Sequence, residues 1–479
     1  IFSKHLYKEA LRQGLAIGII FTALFLLVSV IKFVDVFNRI ELFNFYNSTS
    51  SSITVKEDNF NQSYFLSFYV LAPLLVFQLF GFLTKRSHSD FYHSVPYTRV
   101  CLYLSNFAGI LTWILIAVVI PAIVCLPAYY TLASTTHFLY IDLPGVLLLL
   151  FNTFAASMIT SGIAAIALSI TGMYFPALMI AALILFLPKI LIYFMIDQIR
   201  VLLPFMTQYS FKALDFLQYS IPSSILNWFF PFAKNISWYT SIESGIYSFC
   251  AGIFYIGLGC LLFKRRRSEI AGQSAPNKVL QYLYCTAVGL AVSTIPLGLL
   301  FSDGISLLVV FLYGITVLIC LAYEFITTHK LQSFKKALVS VAVLAILNVM
   351  ISVIIFGSCR ILQSQEIEVA GFRTNEQLIE LRDKNPTEEE LLIKDIVIDD
   401  PALCQMVEDA LNRTRTNGKN IDIKSVDRNS SIIQIVAPNE KRYYRNIIFT
   451  QKEFYLIDKY WENNGTYNQK IYEEIIGNR

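Results

Sequence analysis

Charge is scarce in this sequence. Only 15% of its 479 residues are Asp, Glu, Lys or Arg, and 55% are hydrophobic. A soluble chain of this size carries about 25% charged residues. With a mean hydropathy of +0.56, the deficit excludes a soluble globular protein and leaves a chain that is mostly membrane-embedded. Paired cysteines are lacking too: the eight cysteines include no CxxC and no metal-ligand spacing. Cys101, Cys125, Cys250, Cys260, Cys285 and Cys320 fall in apolar runs and read as small apolar residues. Cys359 and Cys404 lie in polar sequence, where a disulfide between them stays open. The five histidines are scattered, so no metal site is expected. There is no GxxxxGK[ST] phosphate loop, HExxH, GxSxG or paired-carboxylate motif. The chain therefore reads as non-catalytic, without a cofactor of its own and without a nucleic-acid partner.

What is present is a series of apolar runs, each near the 20 residues that cross a bilayer. In Ile1–Gln13, Lys4, Lys8 and Arg12 share one helical face and Phe2, Leu6 and Ala10 another, which predicts an amphipathic helix on the inner surface. The runs that follow are Gly14–Val36, Tyr64–Leu83, Val100–Thr131, Leu143–Ile170, Tyr174–Ile196, Ser244–Phe263, Val279–Phe301, Ile305–Ile326 and Ala337–Gly357. Pro121 and Pro127 predict a kink or break in the third. Ser161, Ala165 and Ser169 predict close packing of the fourth. Asp197–Glu243, interrupted by Pro204, Pro222 and Pro231, reads as external helices that dip into or re-enter the bilayer, which requires protein cover. Lys264–Arg267 is a cytoplasmic stop, and basic residues concentrate in the segments assigned inside. Nine spans place the N-terminus inside and the C-terminus outside.

Ionisable groups inside the runs are functional candidates by default. Lys189 lies deep in the fifth; the competing expectation is that it snorkels to the headgroups or neutralises Asp197. Lys32, Asp35 and Glu324 read as interfacial. The first apolar run is too long for a cleavable signal peptide and lacks a small-residue cleavage site. From Ser358 the composition becomes that of a soluble domain of about 120 residues. A strand is expected at 366–372, a helix at 400–415, strands at 421–426, 431–436 and 443–450, and a terminal helix at 467–476. The fold class is thus a polytopic α-helical membrane protein of about nine spans with a C-terminal α+β extracytoplasmic domain, divided as 1–263, 264–357 and 358–479.

Between the second and third runs lies a polar island, Thr84–Arg99, flanked by Lys85, Arg86 and Arg99 but aromatic in the middle. Asp90 can cap a short helix and Pro96 would end it. Two readings are open: a plug for a groove on a cytoplasmic partner, or a loop whose aromatics rest on the lipid interface.

Asp90-Phe91-Tyr92-His93-Ser94-Val95-Pro96, followed by Arg99, resembles the DFYHSLP…R segment of a bacterial ABC-transporter permease family of the ABC-2, exporter-type class, with Val95 in place of the usual Leu. The order of interfacial helix, spans, cytoplasmic loop and external re-entrant helices over residues 1–263 is similar as well. The added spans and external domain resemble a subgroup in Gram-positive bacteria. The resemblance implies a plasma-membrane subunit whose Ser89–Pro96 helix sits in a cleft of an ATPase subunit, with Asp90, Phe91, Tyr92, His93, Pro96 and Arg99 as coupling residues. ATP and Mg would be bound by that partner, and a second permease chain would complete a path for export of a peptide, antibiotic or lipid-like substrate. A sensor built on the same scaffold and a membrane lipid or glycan enzyme are the rival readings.

Overall fold

The computed structural model describes residues 2–45, 53–55, 64–135, 139–203, 205–206, 219–228, 241–328, 334–365, 367–374, 398–417, 430–438, 441–450, 452–453, 455–457 and 459. Eight of its helices are long and apolar enough to cross a membrane, which makes this a multi-pass membrane protein. In chain order the helices are α1 (Lys4–Phe45), α2 (Tyr64–Leu79), α3 (Arg86–Ser94), α4 (Arg99–Thr135), α5 (Leu143–Ile170), α6 (Tyr174–Leu202), α7 (Ile242–Arg265), α8 (Lys278–Asp303), α9 (Leu307–Thr328), α10 (Phe334–Ser364) and α11 (Pro401–Asn417). The strands are β1 (Ile53–Val55), β2 (Leu139–Ile141), β3 (Gly371–Thr374), β4 (Ser430–Val436) and β5 (Arg442–Ile448).

Three expectations change. The separate N-terminal surface helix is absent: α1 is continuous from Lys4 through the first span. Its first turns pack on α4, where the Trp113 indole donates to the Leu11 carbonyl at 2.9 Å and Tyr7 bonds Thr112 at 3.0 Å. Lys4, Lys8 and Arg12 still share an exposed face. Second, of the kink or break expected at Pro121 and Pro127, the break does not occur: α4 is helical through both. Third, the second apolar run is shorter than the others and is the ninth helix left out of the eight. Pro73 has no N–H to donate, so the turn before it widens: Ser67–Leu71 is π-helical and the Ala72 N–H bonds the Ser67 carbonyl. After Leu79 the chain tightens into a 3-10 turn, Gly81–Thr84.

The chain forms two compact units, one of residues 1–192, 214–296 and 307–347, the other of 193–213, 297–306 and 348–479. At the centre of the first is α5. In its most apolar window 72% of residues are buried, and no other spanning helix exceeds 50%. The small residues account for this. A Cβ on Gly162 would lie 2.8 Å from the Tyr255 Cβ, and one on Gly252 would lie 2.7 Å from the Met158 Cβ, so α5 and α7 meet almost backbone to backbone. Gly245 and Gly259, seven residues either side of Gly252, are equally tight against Asn152 and Tyr103. The 3-10 turn Ile221–Trp228 inserts here: Ile221 is buried with Phe68 and Ala156, and the Tyr69 hydroxyl donates to the Pro222 carbonyl at 2.7 Å. The rest of the expected re-entrant segment, 207–218 and 229–240, lies outside the described residues. β1 and β2 pair in parallel.

In the second unit, β3, β4 and β5 form an antiparallel sheet in that order. Phe372, Ile433, Ile435 and Ile447 from its strands share a core with Val407, Ala410 and Leu411 of α11. The free edge of β5 is covered in part by Phe205, whose carbonyl accepts from the Asn446 N–H at 2.9 Å. The helix read at 400–415 and the strands at 431–436 and 443–450 are therefore present; the strand at 421–426 and the helix at 467–476 lie outside the described residues. Cys359 and Cys404 are both buried, in separate clusters, and no disulfide joins them.

Arg413 of α11 grips Glu453 with two hydrogen bonds, 3.1 and 2.7 Å, and the Thr450 N–H adds a third at 2.7 Å. Burial alone would raise the Glu453 carboxyl, but the bonds from Arg413 and Thr450 outweigh it and hold it below the ordinary carboxylate range. A depressed folded-state pKa contributes stability above the unfolded value, about 4.3, that is lost as pH falls through the folded one. Protection factors of the α11, β4 and β5 amides, corrected for the intrinsic pH dependence of exchange, should therefore fall as pH drops below about 4. Glu453→Gln should abolish that Glu453-dependent step; an unchanged pH profile in the variant would refute the assignment.

Candidate functional site

The polar island folds into a clamped platform. Lys85 is extended, α3 follows over Arg86–Ser94, and Val95 returns to extended backbone at φ −64°, ψ 139°. The stop is local in origin, because the residue before a proline is excluded from the helical region, and Pro96 comes next. The start differs from the sequence expectation: Asp90 does not cap the helix but stands in its second turn, since the chain turns helical four residues earlier.

The side chains of α3 divide into held and free. Ser89 is fully buried. Tyr92 stacks on Phe82 at 4.3 Å between centroids and 25° between planes, and its hydroxyl accepts from the Gln13 amide at 3.3 Å. Phe82 joins Phe80, Tyr103 and Phe263 in an aromatic cluster at the ends of α2, α4 and α7. Phe91 is different. It touches Tyr92 edge-on and is 65% exposed. Asp90, Pro96 and Tyr97 are exposed beside it. His93 lies in α3, and its side chain is outside the described residues.

Arginines lock the platform from below. Arg266 is 2% exposed, whereas its neighbours Lys264, Arg265 and Arg267 are exposed. Its guanidinium donates to the carbonyls of Leu168 and Thr171 at the end of α5 and, at 2.7 Å, to Leu83 just before α3. These are carbonyls that a helix terminus leaves without an intrahelical partner. Burial pulls the Arg266 guanidinium down to about 10, so it remains charged at neutral pH. Arg99 donates to the carbonyls of Lys264, at 3.1 Å, and Arg266. It thus serves the platform internally, while Phe91 and Asp90 remain available on the surface. The turn after α5 completes the clamp: Gly172 and residues 272–273 exchange backbone hydrogen bonds of 2.8 and 2.9 Å. A Cβ on Gly172 would lie 1.8 Å from the Ile270 carbonyl oxygen, and Gly272 sits at φ +81°, so both positions require glycine.

Sequence reading singled out the island but not what holds it. Arg266 is indistinguishable within a basic run, because only the fold selects the one residue of four that points inward. The Gly245, Gly252, Gly259 series was not singled out, although its seven-residue period is a signal that could have found it.

Lys189, read either as a residue of the path or as one that snorkels or neutralises Asp197, is 3% exposed. Asp197 pairs with Arg200 at 3.8 Å. Glu324, read as interfacial, is also buried, at 1% exposure. No group of three or more metal-ligating side chains occurs among the described residues.

The fold and this site define a multi-pass helical membrane protein with a clamped surface helix. Compared with known protein families, with characterised proteins and with solved structures, the chain matches none.

Proposed function

We propose that this chain is the membrane-spanning permease subunit of an ATP-binding-cassette transporter, and that α3 is its coupling helix. The observation that carries the reading is the pairing of an exposed Phe91 with a platform tied to α2, α4, α5 and α7 through Arg266, Arg99 and Tyr92. A load on such a helix reaches the spans without being absorbed by a slack loop. The ATPase is a separate chain that supplies ATP and Mg; a second permease chain completes the path. Residues 358–479 form an α+β domain outside the plasma membrane, since an odd number of crossings separates them from the N-terminus when α2 crosses.

Affinity purification of the full-length chain from its source membrane is the test. Recovery of an ATPase in stoichiometric amount supports the reading, and its absence under mild detergent refutes it. Lys189 is the charged residue we place on the substrate path. Lys189→Met should leave an assembled complex that hydrolyses ATP but moves substrate at least tenfold more slowly, measured in reconstituted vesicles. Wild-type transport would return Lys189 to a structural role.

A further inference from the structure

A cavity of about 570 Å³ lies between the linker 272–277, the first turn and a half of α8 and the last turns of α9. Its size suits an organic molecule rather than a bare ion. In its wall Gln281 has both amide protons committed, one to Glu324 Oε2 at 2.9 Å and one to Thr327 Oγ1 at 2.8 Å, while its carbonyl accepts from the Ser274 hydroxyl at 2.8 Å. The Thr327 hydroxyl donates to the Tyr323 carbonyl at 2.8 Å and the Thr328 hydroxyl to the Glu324 carbonyl at 2.6 Å. The donors of these four side chains are spent.

What remains is acceptor capacity, and one acceptor is conspicuous. Glu324 is 1% exposed and lines the cavity, and its Oε1 is buried with no hydrogen-bond partner among the described residues. A buried carboxylate oxygen without a donor is costly, and a cation or hydrogen-bond donor brought beside it removes the cost. Lys278 lies at the rim, exposed.

We propose that this cavity binds the primary ammonium group of an organic cation, with Glu324 as counter-ion. An ammonium offers three donors and no acceptor, the complement of the part of the wall beside Glu324, where the donors of Gln281, Ser274, Thr327 and Thr328 are already committed. The same chemistry is available from a soluble polyamine and from an aminophospholipid headgroup. The cavity shares residues 272 and 273 with the clamp behind α3, but the inference does not require that an ATPase binds there.

The test uses the full-length protein in amine-free detergent. Tritiated spermidine is the soluble probe. For the lipid arm, nanodiscs of phosphatidylcholine with and without phosphatidylethanolamine are compared by the amount of ethanolamine lipid retained after re-extraction. Saturable spermidine binding assigns a soluble amine; selective retention of the ethanolamine lipid assigns a headgroup. Either is expected to weaken at least tenfold in Glu324→Gln, and tetramethylammonium, which has no N–H, is expected to compete at least tenfold more weakly than spermidine. Ala275→Trp, which fills the mouth and leaves the carboxylate intact, should abolish binding and decides the matter if Glu324→Gln does not fold. Absence of both forms of binding, or binding that folded Glu324→Gln and Ala275→Trp leave unchanged, overturns the proposal.

Discussion

Arg266→Met is expected to loosen the whole platform. The substitution keeps the length and much of the apolar stem but removes the donors that Leu168, Thr171 and Leu83 carbonyls share. Hydrogen bonds to a charged donor contribute about 1.5–3 kcal/mol each, and buried carbonyls stripped of a donor add a desolvation cost. These losses are partly offset because the substitution also removes the cost of burying the Arg266 charge, so a net loss on the order of 3 kcal/mol is expected. In detergent the thermal midpoint should fall well below that of wild type, and limited proteolysis should newly cut between Lys85 and Arg99. Arg265→Met, one residue earlier and exposed, is the control and should do neither. If Arg266→Met left both midpoint and proteolysis at wild-type values, the clamp would not hold the platform.

If α3 is the coupling helix proposed above, Phe91→Ala is expected to strip the partner ATPase while leaving this chain as stable as wild type. Its ring is 65% exposed and contacts Tyr92 only edge-on, so truncation removes little from the isolated chain. At an interface, losing one buried aromatic anchor commonly costs about 2 kcal/mol, roughly 30-fold in affinity. Tyr92→Ala should behave differently. It removes the stack on Phe82 and the contact with Gln13, so it should lower the midpoint as well as ATPase recovery. Lys85→Ala should change neither, since an exposed charge is worth at most about 1 kcal/mol. The measurement is a pull-down through the permease with the ATPase quantified beside a thermal scan. Full recovery with Phe91 replaced would leave the coupling reading without its central residue.

Much of the helical plan was legible because membrane spans announce themselves by run length. The tight α5–α7 contact was half legible: the small residues of α5 predicted close packing, but not with which helix. Other features were set by local backbone chemistry that hydropathy does not register. Pro73 converts the second run into a π-widened, shortened helix, and Asp142, with its side chain accepting from the Gly145 N–H, opens α5. The site was legible as a stretch and illegible as a mechanism. Composition shows aromatics at 91 and 92 alike; only the fold turns one onto Phe82 and leaves the other outward. Glu324 and Lys189 were both weighed as residues near the headgroups, because sequence gives depth along a helix but not which side of it meets protein.

The glycine series on α7 restricts how this molecule can deform. With Gly245 and Gly252 of α7 fitted against Asn152 and Met158 of α5, and Gly162 of α5 against Tyr255 of α7, advancing α7 by one residue, about 1.5 Å, would bring side chains into positions now filled by glycine. Sliding between α5 and α7 is therefore blocked, and the pair behaves as a single rod. A 24-residue helix spans about 36 Å. A tilt of about 5° at one end then displaces the other by about 3 Å, a stroke obtained from rotation alone.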